Sequence, residues 1–249
     1  MDAYHRHTVT HADHPVAAPL SDRAVEVVLD RTVPRDGTVR LLDLGCGEAV
    51  WLRRALAARP GATAVGVDLD EPGLAVGRRA AEREGVADRL RLVREDAALH
   101  VSDRPADTVL CVGATHAFGG LPPALEAAHG HLADGGTVVV GEGFWEREPE
   151  GAALDALGCG PDAYDDLPGT VRRVTDGGWV PVYGHVSTVE EWDDYEWSWT
   201  GSLARWALDH PDHPSAAEAA ATAREHRDAW LGGYRGTLGF LTLALRRAR

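Results

Sequence analysis

Four residue types are missing altogether: the 249-residue sequence contains no Lys, Asn, Gln or Ile. Ala, Arg, Gly and Val are abundant in their place, which points to a GC-rich coding sequence rather than to a functional demand. Cations are scarce too, since 25 basic residues stand against 39 acidic ones and leave a formal net charge of −14. A protein that grips DNA or RNA needs a basic surface, because phosphate neutralisation supplies most of its affinity. No such stripe is present, and pairs such as Arg53-Arg54 and Arg78-Arg79 fall on helix patterns where a solvated face is their ordinary role. A small-molecule partner is favoured, with a protein or peptide partner still compatible. Only three cysteines occur, Cys46, Cys111 and Cys159, too few and too scattered for a disulfide framework or a metal spacing. No apolar run reaches the ~18 residues that a membrane span requires. The opening MDAYHRHTVTHADH lacks a signal core, so a cytoplasmic location is expected. There is no repeat and no low-complexity linker, and the length suits one large domain, residues 1–249.

What is present starts at VRLLDLGCGEAVW, residues 39 to 51, where an apolar strand runs into a glycine turn and then a helical pattern. Gly45 and Gly47 lack a Cβ, so the backbone can turn sharply and approach a ligand, and the helix that follows aims its free N–H groups at the same spot. A second strand, ATAVGVDLD, ends in Asp68 with Leu69 beside it. A carboxylate at the tip of the neighbouring strand, roughly 20 residues on, is where nucleotide-binding folds hold ribose hydroxyls. A dinucleotide fingerprint would need a third glycine where Val50 stands, which tilts the reading away from NAD.

This stretch resembles the first motif of the class I S-adenosylmethionine-dependent methyltransferases, with Asp43, Gly45, Gly47 and Ala49 on the family's acidic and small positions. RLVREDAALH is similar to the family's third strand, and Asp96 before Ala97 fits the acid that accepts the adenine amino group. ADTVLCVGATHAFGG, with Gly113, resembles the fourth strand and its active-site loop, and LADGGTVVVGEGFWE the turn and fifth strand. The likeness covers about residues 39 to 145, and GFLTLALRR at the end is similar to the last strand. It implies a Rossmann-like α/β fold, a doubly wound, mostly parallel seven-stranded sheet, and S-adenosylmethionine as cofactor. It also implies that Asp68 holds the ribose, Asp96 the adenine, Gly45 and Gly47 the methionine end, and that Asp43 orders the loop beneath.

The pattern of the chain agrees. Helices are expected at 21 to 33, 48 to 58 and 71 to 84, the last opening after Asp70 with Pro72 in its first turn, and another at Pro122-Pro123. Strands are expected near 39–44, 64–68, 91–94, 107–113, 137–142 and 179–188. This alternation argues a parallel sheet covered on both faces, with ligands at the carboxyl ends of the strands.

Two segments lie outside that core. Residues 1–20 carry His5, His7, His11 and His14 and are expected to form a lid, with His14 reaching the substrate. If helical, His7, His11 and His14 would share a face with metal-ligand spacing, but an N-terminal segment is a poor frame for a closed site and no metal is expected. Residues 189–236 read as a helical insertion, or cap. Trp192, Tyr195, Trp199, Leu203 and Trp206 recur at helical spacing, for which packing is the first explanation and an aromatic substrate box the second. Ser187 with Glu190, or Thr188 with Glu191, would make a capping box, and Asp193, Asp194 and Glu196 read as surface acids.

For methyl transfer the protein must place a nucleophile in line behind an activated carbon; a base is required only where the acceptor must lose a proton. His116 follows the fourth strand and Glu142 ends the fifth, positions that border the cofactor's methyl in the resembling family. They are the first candidates for acid/base or orienting roles, beside the plain alternatives of a backbone-bonded loop histidine and a carboxylate that holds the lid or cap. Trp145 is a candidate pocket wall, Phe118 a core residue, and Tyr195 a donor from the cap. The expected activity is methylation of a small organic acceptor. The rivals are other chemistry at a bound sulfonium cofactor and a non-catalytic scaffold. Oligomeric state is not legible.

Overall fold

The computed structural model describes residue 1 and residues 3–248, so Asp2, within the expected lid, lies outside the described residues. Seven strands form one sheet. In chain order they are β1 (Val39–Leu44), β2 (Ala62–Asp68), β3 (Leu90–Arg94), β4 (Ala106–Val112), β5 (Leu132–Trp145), β6 (Trp179–Val186) and β7 (Leu238–Arg247). Side by side they run β3-β2-β1-β4-β5-β7-β6. The pairs β2/β3, β1/β2, β1/β4 and β4/β5 are parallel, and β6/β7 is antiparallel. The order reverses between β1 and β4, which places a ligand crevice outside the carboxyl ends of those two strands. Described helices are α1 (Ala3–Thr10), α2 (Asp22–Thr32), α3 (Val50–Ala58), α4 (Glu71–Arg83), α5 (Leu121–Gly130), α6 (Gly151–Leu157), α7 (Leu167–Asp176), α8 (Val189–Asp209) and α9 (Ala216–Ala229).

The chain divides into two compact units. The first holds Asp22–Glu142, Val171–Val186 and the chain from Leu241 on, and so contains most of the sheet. Its central strands are apolar on both faces, as buried parallel strands must be: Leu41, Leu42, Leu44, Val67, Val109, Leu110, Val138 and Val139 are all buried. Asp70 caps α4 by accepting the Gly73 N–H at 3.0 Å, with Pro72 in the first turn, as the sequence pattern requires. The expected turn at LADGG is instead an irregularity within β5, where the pairing with β4 shifts between Ala106/Leu132 and Thr108/Thr137.

The link from β3 to β4 departs from an even cover on both faces. Residues 95–105 contain no helix, and they must return from the carboxyl end of β3 to the amino end of β4 across two strands. The link makes one turn, closed by the Leu99 N–H to Asp96 carbonyl bond at 3.0 Å, and lays no helix on that part of the sheet. Leu99 and Val101 are 72% and 84% exposed.

The second unit comprises the chain up to Ser21, Gly143–Thr170 and Ser187–Phe240. Its axis is α8, started by a capping box in which Thr188 Oγ1 accepts the Glu191 N–H and Glu191 accepts the Thr188 N–H, the second of the two boxes the sequence permits. Glu191 also accepts the N–H and hydroxyl of Ser21 at 2.9 and 2.6 Å. Helices α1 and α9 pack on α8. Leu203, Ala207, Ala219 and Ala223 form the buried seam, with Val9, Trp199 and Trp206 against it. Packing thus accounts for this part of the aromatic stripe.

Candidate active site

Every expected cofactor residue falls in the sheet unit. Strand β1 ends at Leu44 and the chain turns at Gly45, whose φ of +84° is open to glycine alone at no steric cost. A Cβ there would sit 2.4 Å from the Ala114 Cβ, so the turn after β1 and the loop after β4 touch at the crevice itself. The turn is held from the neighbouring strand, as the Gly45 and Cys46 N–H groups both donate to the Val67 carbonyl, at 2.9 and 3.0 Å. Gly47 is also at positive φ, and a Cβ there would meet nothing within 4 Å, so it opens onto empty space. Ala49 precedes α3 at φ 57° and ψ 34°, the one described non-glycine residue with a positive φ, on the position where the resembling motif carries its last glycine.

Asp68 stands at the tip of β2. Its carboxylate accepts the Gly47 N–H at 2.7 Å through Oδ2 and the Asp70 N–H at 2.9 Å through Oδ1. A carboxylate has about four acceptor directions, so two are still available for the diol of a ribose. Leu69 beside it is 63% exposed. The end of β3 is tied to the same strand by the Glu95 N–H to Asp68 carbonyl bond at 3.0 Å. Asp96 follows, accepting the Ala98 N–H at 2.9 Å, and Ala97 is buried beneath. These features suit S-adenosylmethionine: a glycine cradle open at Gly47, a ribose-type acid with spare acceptor capacity, and a second acid one strand away.

Asp43 lies wholly inside, on β1, and burial followed by the nearby Asp68 charge pushes its carboxyl up to about 8. Two of the three free thiols lie by it. Burial, then Asp43 and Glu142, push Cys111 up to about 12, and burial and Asp43 raise Cys46 well above the ordinary range. The floor of the crevice is thus a desolvated place in which negative charge is disfavoured.

His116 sits in a short turn, Thr115–Phe118, directly after β4 and is exposed to solvent. Gly113 leads into that turn with φ +74° and donates its N–H to the Gly141 carbonyl at 3.1 Å, which brings the residue before Glu142 beside the loop after β4. Glu142 is half-buried.

The other expected residues belong to the helical unit. The His14 Nδ1–H donates to the Val16 carbonyl at 2.8 Å, and its ring meets Tyr195 edge-on at 5.3 Å. His11 Nδ1–H donates to the His7 carbonyl at 3.0 Å and leaves Nε2 to accept from Tyr195 at 3.4 Å. Burial, then His7, lowers His11 to about 4. Burial, then Glu196, raises the Tyr195 phenol. Trp145 is buried, its Nε1–H donating to the Pro161 carbonyl at 2.8 Å and its ring meeting Tyr164 edge-on. Among the described residues no group of three or more His, Cys, Asp or Glu is placed to hold a metal ion.

One expectation is corrected. Glu196, read from the sequence as a surface acid, is 2% exposed and accepts from Tyr234 Oη–H and His226 Nε2–H, both at 2.7 Å. His226 in turn stacks on Trp199 at 4.0 Å. Its partners come from α9 and the turn after it, 30 and 38 residues on, so no local pattern could announce the cluster. Asp193 pairs with Arg235 through both carboxylate oxygens, at 2.8 and 2.7 Å, and Asp194 is exposed.

Known proteins place this geometry. A family profile described as a methyltransferase domain matches residues 42–138. The chain is 32% identical over 224 residues, 89% of each chain, to the uncharacterized protein YjhP of Escherichia coli (strain K12). Its fold is similar to a SAM-dependent methyltransferase from Geobacter sulfurreducens in complex with S-adenosyl-L-homocysteine, at TM-score 0.88 and 27% identity over 98% of both chains. It is equally similar, at TM-score 0.88 and 26% identity over 100% of both chains, to one from Thiobacillus denitrificans in complex with the same nucleoside. With the cradle, the strand order and these relatives in agreement, the chain belongs to the class I S-adenosylmethionine-dependent methyltransferases.

Proposed function

We propose that this enzyme methylates a small organic acceptor by in-line displacement. S-adenosylmethionine, when bound, supplies a methyl group already activated on a sulfonium. What the chain's own residues must do is hold that cofactor and orient the acceptor. Asp68 takes the ribose hydroxyls and braces the Gly47 amide, Asp96 takes the adenine amino group, and Leu69 and Ala97 offer apolar faces to the base. Gly47 leaves room at the methionine end, and Gly45 and Gly113 turn the chain beside it. The desolvated floor at Asp43 excludes water from the crevice, which strengthens every polar contact there. His116 and Glu142 receive the acceptor's proton or fix its orientation. The N-terminal segment, with His14 and Tyr195, serves as lid and cap. Trp145, already bonded to Pro161, is a wall and not a donor to substrate.

The observation that carries this reading is the cradle abutting, where Gly45 meets Ala114, a loop that presents an exposed imidazole. A degenerate scaffold has no need of either. The charge of −14 speaks against a nucleic-acid acceptor, and three free thiols fit the cytoplasm.

The test is titration with S-adenosylhomocysteine, then incubation with methyl-labelled S-adenosylmethionine and a panel of small acids, phenols and amines, read by product mass. Saturable nucleoside binding and a product heavier by one methyl support the proposal. Binding with turnover to an unmethylated product would replace it with other chemistry at the sulfonium, and binding without any turnover would favour the scaffold.

A further inference from the structure

The bare stretch of sheet left by the short β3–β4 link is a cleft of about 260 Å³, with a neighbouring one of about 120 Å³ toward His100 and Ser102. Register explains its chemistry. Arg40 pairs with Thr63, and Val65 pairs with Leu42 on one side and Arg91 on the other, so Arg40, Thr63, Val65 and Arg91 point from one face. Buried parallel sheets carry apolar residues at such places. Here two arginines occupy them, and Asp103 and Arg104 of the link form the facing wall.

The charges in this cleft are not balanced internally. Arg89, at its edge, is spent on the carbonyls of Leu56, Arg59 and Ala62. Arg40 Nη2 donates to Asp103 at 3.2 Å, while its Nε is fully buried with no partner among the described residues. Arg104 has only a 3.8 Å approach to Asp103, and the Arg91 side chain makes no hydrogen bond or ion pair among the described residues. In a chain so acidic, this is a place where arginines converge and acceptors are in deficit.

We propose that this cleft is a second ligand site, for a compact small molecule carrying two or more negative charges on phosphate or carboxylate groups. Arg91 and Arg104 bind it as planar donor forks, above Arg40. Its volume is just below that of pockets for drug-sized ligands, which suits a small metabolite. The cleft lies at the amino ends of β1, β2 and β3, whereas the cofactor residues lie at the carboxyl ends, about 17 Å away along a strand such as β2. Both ligands can therefore bind at once, and the proposal does not rest on the identity of the methyl acceptor.

The experiment is calorimetric titration of the full chain, saturated with S-adenosylhomocysteine, with pyrophosphate and with citrate, for wild type and for the double variant Arg91→Ala/Arg104→Ala. Submillimolar saturable binding of at least one probe is expected, and loss of two charge-assisted forks should weaken it by tenfold or more. S-adenosylhomocysteine affinity should be the same in both proteins, which also reports that the variant is folded. Preference for pyrophosphate assigns a phosphorylated ligand, and preference for citrate a polycarboxylate. No saturable binding of either probe, equal binding in the variant, or binding seen only before the nucleoside is added would overturn the proposal.

Discussion

The Asp68 carboxylate accepts the Gly47 amide proton at 2.7 Å, so the acid expected to hold the ribose also holds the glycine turn in shape. Removing it does two things at once. Asp68→Ala should weaken S-adenosylhomocysteine binding by at least about 1–3 kcal/mol, the cost of leaving buried hydroxyls unpaired, and should in addition loosen the turn. Asp68→Asn keeps one acceptor oxygen for the turn. Calorimetry paired with urea denaturation should show Asn close to wild type in stability but still impaired in binding. Unchanged binding in the folded Ala variant would remove Asp68 from the site.

At Ala49 the left-handed backbone gives a prediction of opposite kind. A non-glycine residue there costs about 1–2 kcal/mol, while glycine would lose backbone entropy and a buried methyl worth roughly as much together. Ala49→Gly should therefore change stability by less than about 1 kcal/mol. Ala49→Val, with a branched Cβ at φ 57°, should destabilise by well over about 2 kcal/mol in the same denaturation experiment.

The pH dependence has two opposed sources. Asp43 is raised to about 8 in the folded chain, so between about pH 4 and 8 the folded state binds the extra proton and stability falls as pH rises. His11 is lowered to about 4, so between about pH 6.5 and 4 the unfolded state binds the extra proton and stability falls as pH falls. The advantage of Asp43→Asn over wild type should grow steadily from about pH 4 to 8. His11→Gln should lose stability relative to wild type least at about pH 4. A pH-independent difference for either variant would refute the corresponding assignment.

His116→Ala and Glu142→Gln should leave nucleoside affinity intact and lower kcat with the identified acceptor, by about 10²-fold or more if either moves a proton. Equal loss of affinity and turnover would make the residue structural.

Glu196 is a stability prediction with no stake in catalysis. Truncation to Ala orphans the Tyr234 hydroxyl and the His226 imidazole around a buried gap, and should cost about 3–5 kcal/mol in denaturant. In the Glu196→Ala background, Tyr234→Phe should cost far less than it does in wild type, because the pair is already broken.

The sheet unit of this protein was legible in its sequence because its signals are local. Gly45 and Gly47 announce a turn, Asp68 ends an apolar strand, and Asp70 with Pro72 opens a helix, each within a few residues of what it explains. The helices of the second unit were legible from the Thr188–Glu191 capping box and the aromatic spacing, but its buried polar contacts were not, since Glu196 is defined by His226 and Tyr234, and His11 by Tyr195, partners that only tertiary packing supplies. The bare sheet face at Arg91 was hidden for a different reason. It follows from a helix that is missing between β3 and β4, and an eleven-residue link reads from sequence as an ordinary loop.

Asp13 is bound by Ser202, 189 residues further along the chain, and Ser21 by Glu191. During synthesis at about 5–20 residues per second, the N-terminal segment would leave the ribosome roughly 10–40 s before those partners exist. The β1–β4 half of the sheet can be complete by then. This segment must stay open while the cofactor cradle forms, and it docks only as the last part of the chain emerges. A nascent chain arrested before α8 should accordingly hold a formed glycine turn and an N-terminus still open to proteolysis.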